Sequence, residues 1–108
     1  MKATYWQRGE TLDYTPAAAV SNGAVVVLGT RVGVAGSDIA AGAQGQIHVV
    51  GVFAMDKAAS VAIAMGADLY YDAANDVITT TADGNTPAGY AAAAAAADDT
   101  TVLVKLMG

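Results

Sequence analysis

Two strand-turn-strand patterns between Gly66 and Met107 constrain this chain more than any other feature. The first runs through Asp68-Leu69-Tyr70-Tyr71, crosses the Asx-rich segment Asp72-Ala73-Ala74-Asn75-Asp76 and returns as Val77-Ile78-Thr79-Thr80-Thr81. Aromatic and β-branched residues on either side of a turn are a strong hairpin signal. The second joins Gly89-Tyr90 and the seven alanines Ala91 to Ala97, through Asp98-Asp99-Thr100, to Thr101-Val102-Leu103-Val104-Lys105-Leu106. Intrinsic propensity would make the alanines helical, with Thr86 as N-cap and Pro87 at the first position. Three features oppose a helix: it is short, it contains Gly89, and Asp98 and Asp99 fall at the negative end of its dipole. On sequence alone both readings stay open, with an extended run facing Val102-Leu103-Val104 favoured.

Upstream, short apolar runs alternate with turn signals. Thr11 to Thr15 stops at Pro16, and Ser21-Asn22-Gly23 precedes Ala24 to Leu28. Gly29-Thr30 leads into Arg31 to Ala35, and Gly36-Ser37-Asp38 turns again. Gln46 to Met55 reads as the longest strand, with a bulge at Gly51. Asp56 to Ser60 reads as a loop or one helical turn. Punctuation every eight to twelve residues predicts an all-β domain, a small barrel or β-clip-like fold of short antiparallel strands with at most one or two helical turns. Residues 1–108 form one domain, with residues 1–16 as a candidate N-terminal arm.

The core such a chain can build is thin, since 26 residues are Ala against 13 Val, 5 Leu, 4 Ile and one Phe. An alanine buries little more than one methyl group. Association, with other copies or with a partner, is therefore expected to supplement the core. The net charge of −5 lacks the basic stripe that nucleic acid requires. No cysteine is present, which excludes disulfides and thiolate metal sites. No apolar run approaches the ~18 residues of a membrane helix and the start has no apolar signal region, so a soluble cytoplasmic product is expected.

The order of the motifs carries a resemblance. Asp13-Tyr14-Thr15-Pro16, Gly23 to Gly29, Gly33-Val34-Ala35, Asp38 to Gly42 with Gly45, and Gly51-Val52-Phe53 with Lys57 form its first half. Gly66-Ala67-Asp68-Leu69-Tyr70-Tyr71-Asp72, Thr79 to Thr81, Gly84-Asn85-Thr86, Gly89-Tyr90 and Thr101 to Leu106 complete it. In this series the chain resembles the small capsid cement, or head decoration, proteins of tailed phages. The resemblance implies a β-rich protein on the outside of the phage head, bound to the major capsid protein and bracing the shell. It also implies a symmetric oligomer, most often a trimer, because cement proteins commonly occupy capsid three-fold positions.

Residues suited to catalysis are few. His48 is the sole histidine and lies in an apolar strand, where a structural role is expected. With one His and no Cys a nucleophilic triad has no basis, and no G-x-x-x-x-G-K-[ST] loop is present to cradle phosphate. Asp72, Asn75 and Asp76 are better explained as turn residues than as Ca²⁺ ligands, and Asp98-Asp99 better as a hairpin tip than as an acid/base pair. No enzyme, cofactor or metal is expected. A second functional class, a small binding module for a sugar or another small molecule, rests on the Gly-rich Asp38 to Gly45 connection alone.

Trp6, with Tyr5 and Tyr14, either seals one end of the barrel or anchors an interface. Lys2 and Arg8 would add charge to the second role. Lys2, Tyr5, Trp6, Arg8 and Tyr14 are the candidate interface residues, with Lys2 to Arg8 expected to form a large part of the capsid contact.

Overall fold

The structure, a computed structural model, describes residues 3–107. Gly29, at φ +68°, and Thr30 turn β2 (Val25–Leu28) directly into β3 (Arg31–Ala35), with Leu28 facing Arg31. With β1 (Thr11–Tyr14) and β4 (Gly45–His48) these strands make an antiparallel sheet of order β1-β4-β3-β2. The remaining strands are β5 (Val52–Asp56), β6 (Asp68–Asp72), β7 (Val77–Thr79), β8 (Thr86–Ala91) and β9 (Thr101–Leu106). They form a second antiparallel sheet of order β5-β9-β8-β6-β7. There is no helix among the described residues.

The expected all-β class holds, while the barrel does not. The second sheet curls until Lys57, just past β5, meets Ile78 of β7 in a single bridge, where the Ala58 N–H donates to the Ile78 carbonyl at 2.8 Å. No ladder closes between the two edge strands. The first sheet instead packs over the second, with β3 lying against β8.

The long strand expected from Gln46 to Met55 is two strands in different sheets. Gly51 sits between them at φ +120°, a conformation that residues with a Cβ seldom adopt. The chain leaves one sheet and enters the other there, so the glycine marks a crossing and not a bulge. A bulge does occur in β8, where the register against β6 shifts between Leu69, opposite Gly89, and Tyr70, opposite Pro87. That irregularity accommodates a proline, which has no N–H to donate, inside a central strand. Gly89 is required for a separate reason: a Cβ there would lie 2.0 Å from the backbone oxygen of Lys105 in β9.

The alanine run is not helical, nor is it one strand opposite Val102 to Val104. Ala91 ends β8 opposite Val104, and the Ala92 N–H donates to Leu103 at 2.9 Å. The chain then turns away, and Ala95 exchanges two backbone hydrogen bonds with Ile63, at 2.8 and 2.9 Å. Asp99 closes the following turn by accepting the Ala96 N–H at 2.8 Å. The hairpin partner of β9 is thus the Pro- and Gly-containing segment before the alanines.

Alternation places the core. Along β9, Val102, Val104 and Leu106 point inward, and they meet Ile63, Leu69, Ile78, Val32 and Val34 between the sheets. Each fully buried aliphatic side chain of this kind contributes roughly 1.5–3 kcal/mol. Ala88, Ala91 and Ala95 fill the same core at positions with little room for more. A smaller cluster, Val26, Ile47 and Val49 with half-buried Tyr14, Val20 and Leu28, gives the first sheet a second packed region. Val20 and Ile39 hold the connection beside it through paired backbone hydrogen bonds of 2.9 Å.

Candidate functional site

The N-terminal segment lies outside both sheets. From Ala3 to Gly9 it forms no strand, and it leads into β1, an edge strand of the first sheet. The side chains of Tyr5 and Trp6 are 79% and 87% exposed, so Trp6 does not seal the fold. Gln7 donates to the Thr11 carbonyl at 3.2 Å, and Arg8 pairs with Glu10 at 3.5 Å. Both members of that ion pair are exposed, which limits its contribution to a fraction of a kcal/mol. The segment is also distinct in charge. Residues 1–8 contain Lys2, Arg8 and no acid, whereas the rest of the chain sets Arg31, Lys57 and Lys105 against all ten acids.

Of the five candidate interface residues, Tyr5, Trp6 and Arg8 therefore share one exposed segment. Tyr14 stands apart: it lies in β1 and packs against the Val26, Ile47 and Val49 cluster. Lys2 falls outside the described residues.

A cleft of about 170 Å³ opens where three edge strands converge. Gly23, Ala24 and Val25 line it from the start of β2 and the turn before it, Met55 and Asp56 from β5, and Asp76, Val77 and Ile78 from β7 and the turn before it. Tyr71 donates its hydroxyl to Asp76 Oδ1 at 2.5 Å. Burial first, then this hydrogen bond and the nearby carboxylates of Asp76 and Asp72, push the phenol up to about 12. The cleft has no local sequence signal, because its walls come from segments about twenty to fifty residues apart that meet only through the packing of the two sheets.

The acidic turns are occupied by the backbone they shape. Asp72 accepts the N–H groups of Ala74 and Asn75 at 3.1 and 3.3 Å and the Asn75 side-chain amide at 2.8 Å. The Asn75 amide bond, with the two backbone bonds, holds its carboxyl below the usual range. Among the described residues no three His, Asp or Glu side chains are grouped to hold a metal ion. His48 packs its ring 5.7 Å from that of Phe53, a structural placement.

The Asp38 to Gly45 connection offers little to a sugar. The hollow beside it is lined by Ala19, Val20, Ser21, Asp38, Ile39 and Ala40, and Asp38 already accepts the Asn22 N–H at 2.7 Å. Convergent polar side chains, which a small-molecule site needs, are lacking.

Lys57, part of the motif series above, is buried in a way that its sequence neighbours do not foretell. Lys57 is only 6% exposed, and its ammonium donates to the carbonyls of Val61, Ala58 and Ala97 at 2.6, 3.0 and 3.3 Å. It thereby ties the loop after β5 to the end of the alanine run. Nothing in the local sequence distinguishes it from a surface lysine.

No curated protein and no solved structure matches the chain at a significant level. The model of the phage cement proteins matches residues 6–106, a span that takes in Trp6 and every strand described, and the chain belongs to that family.

Proposed function

We propose that the protein is a structural cement that binds the exterior of a phage head through the major capsid protein and stabilises the shell. The family match over residues 6–106 carries this reading. The exposed segment with Tyr5, Trp6 and Arg8 supports it, because large aromatics and arginine are the side chains that anchor protein interfaces. Lys2 and Tyr14 complete the interface, which faces the capsid or a neighbouring copy. The protein works without catalysis, is made in the host cytoplasm and is carried on the capsid surface. The thin alanine-rich core favours a symmetric oligomer, and a trimer suits capsid three-fold positions.

Incubating the purified protein with heads that lack it tests the proposal. The expected result is saturable binding and a higher temperature of DNA release. Heads that neither bind the protein nor gain resistance would refute it. Deleting residues 2–8 is expected to abolish attachment while leaving the two-sheet domain folded.

A further inference from the structure

We infer that in the oligomer the N-terminal arm of one copy docks on the β2 edge of the next, with Trp6 seated in the cleft between β2, β5 and β7. The inference rests on the arm being an interface, and it names the neighbour as a second copy of this chain.

The acceptor is an unprotected edge. Leu28 faces Arg31 across the two-residue turn, and the Ala24 carbonyl accepts the Ala35 N–H at 2.9 Å. The antiparallel alternation between those two points leaves the N–H and C=O groups of Val25 and Val27 directed away from β3. β2 is the last strand of its sheet, and its sequence, Val25-Val26-Val27-Leu28, contains neither charge nor proline to deter pairing. Apolar edges of this kind are normally covered.

The donor matches it in three ways. Ala3-Thr4-Tyr5-Trp6-Gln7 is rich in strand-forming residues and lies in no sheet. The cleft beside β2 measures about 170 Å³, and its lining combines Val25, Met55, Val77 and Ile78 with polar surface from Asp56, Asp76 and the backbone. A protein cavity of about 150 Å³ accepts a benzene molecule, so this one has room for an aromatic ring. The rim is acidic, through Asp56 and Asp76, and no Lys or Arg lines it, whereas the arm carries Lys2 and Arg8.

Within its own chain the arm does not occupy the cleft. It leaves from β1, and β2 is at the opposite edge of the same sheet, three strand spacings or about 14 Å away. Within one chain Tyr5 and Trp6 remain exposed. A contact between two different edges of one sheet is heterologous, and repeated with a rotation that closes it forms a ring.

Two variants, each with one half of the contact, provide the test. Trp6→Ala removes the anchor, and Ala24→Arg places a charge and bulk at the mouth of the cleft outside both cores. By sedimentation the unmodified chain is expected to form a discrete oligomer, and each variant alone to dissociate about 30-fold more readily, the effect of a central aromatic anchor. Mixed together, the two variants are expected to form a one-to-one dimer, since one arm and one cleft remain intact. Trp6 is the only tryptophan, so its emission should shift to the blue in that dimer and stay that of an exposed indole in Ala24→Arg alone. A monomeric unmodified chain, an oligomer indifferent to Trp6→Ala, or a mixture that does not associate would each overturn the inference. If the mixture associates but the unmodified oligomer fails to bind heads, the arm exchange stands and the cement function falls. If Trp6→Ala abolishes head binding with the oligomer intact, the arm belongs to the capsid contact and the exchange is wrong.

Discussion

Replacing Lys57 by methionine should destabilise the protein measurably. The ammonium reaches three carbonyls, at 2.6, 3.0 and 3.3 Å, and no carboxylate among the described residues. Methionine keeps most of the stem's packing and removes the donor. The carbonyls of Val61 and Ala58 then lose close partners, at about 1–3 kcal/mol each, and the longer bond to Ala97 adds less. Against this, burying an ammonium itself costs several kcal/mol, which the variant no longer incurs. Losses of about 2–6 kcal/mol at the two close carbonyls, set against a saving of several, leave a net loss of about 1 kcal/mol. Urea unfolding should show a lower midpoint with an unchanged slope, and thermal melting a fall of roughly 4–8 °C. Lys57→Arg should not restore stability, because a planar fork cannot reproduce the compact arrangement of three donors. If Lys57→Met stays within about 0.5 kcal/mol of the unmodified protein, the carbonyl cage is not a stabilising device and the argument fails.

Two further outcomes follow from the geometry. Gly89→Ala places a methyl group 2.0 Å from the Lys105 oxygen, so β8 and β9 must separate; a loss above about 3 kcal/mol, or insoluble protein, is expected, and a near-neutral unfolding midpoint would refute the close approach. Tyr71 titrates near 12 folded and near 10 unfolded, so the folded state holds its proton more tightly and stability declines as pH rises from 10 to 12. Urea midpoints measured across that window should fall less steeply for Tyr71→Phe, and equal slopes would contradict the assignment.

Much of this fold was legible because its signals are local. The hairpin of Asp68–Asp72 and Val77–Thr79 could be read from β-branched and aromatic runs around an Asx-rich turn, and the structure pairs Tyr70 with Thr79 and Asp72 with Val77. The Gly29-Thr30 turn and the absence of a helix in the alanine run are likewise properties of short stretches, set by backbone freedom, side-chain branching and charge. Such terms act over a few residues and need no knowledge of what lies across the sheet.

Tertiary packing decided the rest. Gln46 to Met55 keeps its apolar character through Gly51, so nothing local reveals that its two halves enter different sheets. Pro87 and Gly89 argue locally against a central strand, yet a bulge beside Leu69 and Tyr70 and the close passage of Lys105 make that strand possible. Lys57 is a surface residue by composition and a buried one by position, because the three carbonyls that receive it are brought together only when the alanine run folds back over the loop after β5. The cleft beside β2 arises the same way, at the meeting of edges distant in sequence. The chain thus specifies its strands and turns by short-range preference, while sheet membership, the buried ammonium and the cleft beside β2 depend on long-range contacts that exist only in the packed protein.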